Sequence, residues 1–164
     1  MTRFGNRREA GRALGAILAP YKAVHPTVLA LPPGGLPVAC EVARALDAPL
    51  DVLVVGNAGA RLTSPIHGQT VIVVDDGMAT GARMRVAVQV LRALDPRHIV
   101  VAVPVASRQG LVLARNVADD WACVLAPEPF TAVGEWYADF RPVSDEEVRQ
   151  LLRPGFSSPS FSTV

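Results

Sequence analysis

Cysteine is scarce in this chain: only Cys40 and Cys123 occur, far apart and without a Cys or His neighbour at metal-ligand spacing. This argues against a disulfide framework and leaves two buried structural thiols as the expectation. Net charge is almost absent as well, since 16 basic and 15 acidic residues give a formal charge of +1. Such a balance offers no electrostatic footprint for nucleic acid or an anionic membrane, so any anion site must be local. No apolar run reaches the roughly 18 residues that cross a bilayer. The opening Met1 to Gly15 mixes basic and small residues where a signal peptide has a continuous apolar core. The chain therefore reads as cytoplasmic.

What is present is enough apolar surface for one core. Half of the 164 residues are hydrophobic and 19% are charged, which offsets the entropy of ordering a single domain. Ala10, Leu14, Ile17 and Leu18 recur at helical intervals between Arg7 and Pro20, where proline is expected to stop the helix. Runs rich in β-branched residues at Thr27 to Leu31, Asp51 to Val55, Val71 to Val74, His98 to Val103 and Trp121 to Leu125 predict about five buried strands. Helical patterns at Val38 to Leu46, Arg83 to Leu94 and Gln109 to Val117 lie between most of them. Alternation of this kind predicts an α/β fold with a central, mainly parallel sheet flanked by helices. Gly56 to Thr70 lacks periodicity and reads as a loop. Ser144 followed by Glu147 predicts a capped helix through Leu152. The domain is expected to span residues 1–153, with 154–164 a mobile tail by composition.

The most informative stretch is Val71-Ile-Val-Val-Asp75-Asp76-Gly77-Met78-Ala79-Thr80-Gly81-Ala82, an apolar strand, two acids and a glycine-bracketed turn that opens a helix. A turn of this kind can aim its amides at one point, and the helix behind it adds unpaired N–H groups and the positive end of its dipole. That makes a phosphate seat, to which Thr80 adds a hydroxyl. Two carboxylates beside a phosphate need hydrogen-bond donors to face, and the vicinal hydroxyls of a sugar supply them. Neither a Walker A loop, which needs Lys-Ser or Lys-Thr, nor the dinucleotide glycine spacing fits.

The segment resembles the 5-phosphoribosyl 1-diphosphate (PRPP) signature of the type I phosphoribosyltransferases. Leu31-Pro32-Pro33-Gly34-Gly35-Leu36-Pro37-Val38 is similar to that family's pyrophosphate loop. The run Pro129 to Phe140 resembles a bacterial branch of stand-alone members. The resemblance implies the type I phosphoribosyltransferase-like fold, with Asp75 and Asp76 holding the ribose hydroxyls. Gly77, Met78, Ala79, Thr80 and Gly81 would wrap the 5-phosphate, and Gly34 and Gly35 would receive the diphosphate. It also implies Mg2+ carried by PRPP, a nucleobase acceptor, no nucleic-acid or membrane partner, and a homodimer. Phe130, Trp136 or Tyr137 would stack on a planar acceptor or fill the core.

Several positions depart from the family pattern. Pro33 stands where that branch usually has Arg, and Gly56 and Asn57 where basic residues are usual. Arg83 takes the place of a last hydroxyl contact, and either pairs with the phosphate or points to solvent. Ala79 replaces the acid of purine-salvage members, which disfavours 6-oxopurines, and the Gly56 to Thr70 stretch is short for the family's flexible loop. His67 in that stretch reads as a surface residue. The expected activity is transfer of a 5-phosphoribosyl group to a nitrogen base with release of diphosphate. The alternative is a non-catalytic binder of PRPP or of a nucleoside monophosphate. A Ser-His-Asp hydrolase has no nucleophile-elbow serine to support it.

Overall fold

The computed structural model describes residues 3–56 and 59–153, so Asn57 and the expected tail lie outside the described residues. Helix α1 is Arg7–Ile17, opened by the Asn6 side chain accepting the Glu9 N–H at 2.8 Å. The α-helix ends before Pro20, and a 3-10 turn, Ala19–Val24, carries the chain past it. Proline is tolerated there because its missing N–H would have had no partner in the first turn.

The alternation then runs β1 (Thr27–Ala30), α2 (Gly35–Leu46), β2 (Leu50–Val52), the short pair β3 (Val54–Gly56) and β4 (Gly59–Arg61), β5 (Thr70–Val74), α3 (Ala82–Ala93), β6 (His98–Val105), α4 (Arg108–Val117), β7 (Asp120–Leu125) and α5 (Asp145–Leu152). Five strands form one parallel sheet in the order β2-β1-β5-β6-β7. The register places Asp51, Leu29, Val73, Val101 and Trp121 in one row across it. Side chains alternate between faces along a strand. Val28, Ile72 and Val100 pack with α1, α2 and α5, while Leu29, Val73 and Val101 pack with α3 and α4. Cys40 is buried in the first layer, and Cys123 is half-buried beside the second; both are free thiols.

The expected strand Asp51 to Val55 is in fact divided. Its first half pairs with β1 as far as Ala30 and Val52, after which the chain leaves the sheet and β3 folds antiparallel onto β4, Val54 opposite Arg61 and Gly56 opposite Gly59. The stretch from Gly56 to Thr70 is therefore not loop throughout. Its return is pinned by the buried Asp51 carboxylate, which accepts from the Thr63 N–H (3.0 Å), the Thr63 hydroxyl (2.9 Å) and the Ser64 N–H (2.7 Å). Ile66 is buried in the core on the α3 side, whereas His67 is exposed and pairs with Asp95. The Ser144 cap is present, its hydroxyl accepting the Glu147 N–H at 3.1 Å. Among the described residues, no helix is long and apolar enough to cross a membrane.

Candidate functional site

From β1 the chain turns toward β2, and from β5 it turns the other way toward β6. In an open parallel sheet the crevice at such a reversal, at the carboxyl ends of the strands, is where ligands bind. Both glycine loops singled out in the sequence meet there. The 31–35 loop is held by the Leu31 N–H donating to the Val74 carbonyl (3.0 Å) and by the Gly35 N–H donating to Leu31 (2.9 Å). The backbones approach so closely that a Cβ on Gly35 would stand 2.7 Å from the Val74 carbonyl oxygen, and one on Gly34 would stand 2.3 Å from Asp76 Oδ2. At position 35 glycine is required for this backbone contact, whereas at 34 a Cβ would displace the Asp76 side chain.

The 77–81 loop is stapled to the end of β6. The Met78 N–H donates to Val105 (3.0 Å), the Ser107 N–H donates to Met78 (2.9 Å), and the Ser107 hydroxyl donates to the Ala79 carbonyl. Met78, expected among the phosphate contacts, thus spends both backbone groups on the scaffold, with its side chain buried. The N–H groups of Ala79, Thr80 and Gly81 donate no hydrogen bond within the described residues. Gly81, at φ 82°, turns the chain into α3. The Thr80 hydroxyl accepts from the Ala82 N–H (3.2 Å), which leaves its proton to donate elsewhere. Free amides, a hydroxyl and a helix N-terminus are the groups with which a loop can bind an anion.

Asp75 and Asp76 stand at its edge and are not equivalent. Asp75 is 6% exposed, and burial, with the Asp76 carboxylate beside it, pushes its carboxyl up to about 7. Its Oδ1 accepts from the Asp76 N–H (2.9 Å), and Arg83 Nε lies 3.8 Å from its Oδ2. Arg83 thus follows neither expected course alone: half-exposed, it leans over Asp75 and donates to the Pro32 carbonyl, bridging the two loops. Asp76 Oδ2 is paired with Arg7 Nε at 3.1 Å, an arginine that sequence reasoning did not single out. A lone arginine at the start of an amphipathic helix carries no signal of its own; its partner is 69 positions away.

The aromatic run near the C-terminus resolves into two roles. Trp136 and Tyr137 are buried and pack with Phe4, Val105 and Val133, so the stacking role weighed for them does not hold. Burial raises the Tyr137 hydroxyl well above its ordinary pKa and keeps it a donor; it donates to the Asp76 carbonyl at 2.5 Å. Phe130 is only half-buried, and it lines an open cavity of about 770 Å³ together with Ala79, Thr80, Ser107 and Pro129. Pro33 is exposed at the rim.

A family model for the phosphoribosyl transferase domain matches residues 7–131, which include both glycine loops and the acidic pair. The chain belongs to this family. A Mycobacterium tuberculosis protein provisionally named a phosphoribosyl transferase is 32% identical over 207 residues, covering 93% of this chain and 47% of that relative. The chain spans about half the length of the curated relatives it matches. Because 93% of 164 is about 153 residues, about 54 residues inside the relative's matched region have no counterpart here. The crystal structure of TT1426 from Thermus thermophilus superposes with a TM-score of 0.85 at 33% identity, covering 92% of this chain and 98% of that one. The orotate phosphoribosyltransferase of Aeropyrum pernix superposes with a TM-score of 0.57 at 27% identity, over 71% of this chain and 68% of that one. The sheet and its flanking helices are therefore those of a phosphoribosyltransferase.

Proposed function

We propose that the chain transfers the 5-phosphoribosyl group of Mg2+-bound PRPP to a nitrogen base. The observation that supports this reading is that, at one crevice, the free amides of Ala79 to Gly81 follow directly on the two carboxylates that end β5. The 5-phosphate sits on the seat, and the ribose 2- and 3-hydroxyls donate to Asp75 and Asp76. With both ends of the sugar fixed, C1 is directed toward the 31–35 loop, where the Gly34 and Gly35 backbone receives the departing diphosphate. The bond from C1 to the diphosphate oxygen breaks with its electron pair leaving on that oxygen, the nitrogen lone pair closes on C1, and the nitrogen's proton passes to the departing diphosphate or to water. Positioning and charge stabilisation are the protein's contribution. Mg2+ would arrive on the substrate, held by the diphosphate oxygens.

Phe130 and the cavity beside Ala79 offer the acceptor a flat apolar wall. Ala79, standing where purine-salvage members have an acid to bind or deprotonate the base, disfavours a 6-oxopurine acceptor. A second reading, a non-catalytic binder of PRPP or a nucleoside monophosphate, is favoured by one feature. Pro33 offers neither charge nor amide on the leaving-group side.

A time course of PRPP and Mg2+ with the protein, with and without a mixture of nucleobases, separates the two. Base-dependent release of diphosphate, with one base consumed, is the expected result and names the acceptor. PRPP bound but unconsumed with every base establishes the binder instead.

A further inference from the structure

The second acid of the pair is held from outside its own loop. The Arg7 side chain is 11% exposed, its guanidinium carbon lies over the Phe140 ring 4.0 Å from the ring centre, and its Nη1 donates to the Arg141 carbonyl at 2.6 Å. Those contacts fix its plane and leave Nε directed at Asp76 Oδ2. The main chain of Asp76 is held from the same side, through the Tyr137 hydroxyl on its carbonyl. Tyr137 in turn packs between Phe4 (5.6 Å) and Phe140 (5.0 Å), ring centroid to ring centroid. The segments that carry these residues are laced together. Phe4 N–H donates to Trp136 (2.9 Å), Ala138 N–H to Phe4 (2.7 Å) and Asp139 N–H to Gly5 (2.9 Å). Gly34 lies against the same oxygen, so that a Cβ there would stand 2.3 Å from Oδ2 and displace it. A carboxylate offers about four lone-pair sites, so the Arg7 hydrogen bond to Oδ2 leaves Asp76 acceptor capacity for a ligand beside its contact with the Asp75 side chain.

We propose that Arg7 is a positioning residue of the ribose clamp, holding Asp76 by Oδ2 so that Oδ1 is presented to a sugar hydroxyl. The inference rests on the sugar-binding reading above. Asp75 has no such anchor, its nearest cation being the half-exposed Arg83 at 3.8 Å. The two acids are thus anchored differently, Asp76 by a guanidinium on Oδ2 and Asp75 by the Asp76 N–H on Oδ1. Lysine would keep the charge at position 7 but lose the hydrogen bond from Nη1 to the Arg141 carbonyl and the directed Nε.

The test compares inorganic phosphate with ribose 5-phosphate, titrated by calorimetry into the wild type, Arg7→Met and Arg7→Lys. The wild type binds ribose 5-phosphate more tightly than phosphate, and that ratio measures the sugar's contribution. In Arg7→Met the ratio falls roughly tenfold or more, as for loss of a charge-assisted hydrogen bond to the sugar, while phosphate affinity is unchanged. Arg7→Lys shows the same fall in part, and it carries the test if the methionine variant does not fold. A ratio equal to the wild type's in the folded variant overturns the proposal, as does an equal loss for both ligands, which would mean a structural role only. A wild type that gains nothing from the ribose refutes the clamp itself, an outcome distinct from a failure at Arg7.

Discussion

Asp75→Asn combined with Asp76→Asn abolishes measurable PRPP binding and leaves inorganic phosphate binding intact. Each carboxylate accepts a hydroxyl hydrogen bond with charge assistance, and such bonds contribute about 1.5–3 kcal/mol each. Losing both therefore weakens PRPP binding by roughly a hundredfold or more, since about 1.4 kcal/mol is a factor of ten. An asparagine oxygen still accepts, but without the charge, and its amide group offers donors to a sugar that needs acceptors. Phosphate loses nothing, because its partners are the Ala79 to Gly81 amides and the Thr80 hydroxyl, and two nearby negative charges have been removed. Calorimetric titration of both ligands into the double variant checks this. Wild-type PRPP affinity would detach the acids from the sugar altogether.

Asp75→Asn alone stabilises the free protein at neutral pH, and the gain disappears in acid. Burial and the neighbouring Asp76 raise the Asp75 carboxyl to about 7 in the fold, with Arg83 acting against them. In the unfolded chain it titrates near the ordinary aspartate value of about 3.9. Between those two values the folded state binds the extra proton, so stability falls as pH rises through that window and is lowest above it. The amide has no proton to lose and removes this penalty, on the order of a few kcal/mol at pH 8 for a shift of this size. Urea denaturation of the wild type and the variant should give curves that diverge from pH 4 to pH 7 and run parallel above. A buried acid that costs stability when empty is one a ligand's hydroxyl can relieve, which is the behaviour expected of a binding group. A variant less stable than the wild type at pH 8 would show that Asp75 is held for structure.

The parts of the site legible in the sequence are those written within a few consecutive residues. The β5 run, its two acids and the Gly77 to Gly81 turn state their geometry locally, and the 31–35 loop is readable because Gly34 and Gly35 follow a strand and precede Pro37. What escaped depends on distant partners. Arg7 acquires meaning only when α1 lies beside the end of β5. Asp51 looks like any strand residue until Thr63 and Ser64 fold back onto its carboxylate. The hairpin of β3 and β4 went unread because its strands are three residues each and glycine-rich, too short for alternation to show. Trp136 and Tyr137 have the composition of a stacking platform and of a core alike. The topology decides between them by placing Phe4 against Tyr137 and closing that surface.

The central claim is that this crevice holds a 5-phosphoribosyl group by its phosphate and its sugar together. The most direct measurement is a phosphorus NMR titration of Mg2+-bound PRPP, whose 5-phosphate and diphosphate resonances are separate, with the wild-type protein. The account predicts a saturable shift or broadening of the 5-phosphate resonance, lost in the Asp75→Asn, Asp76→Asn double variant. A 5-phosphate resonance unmoved at saturating protein would contradict it.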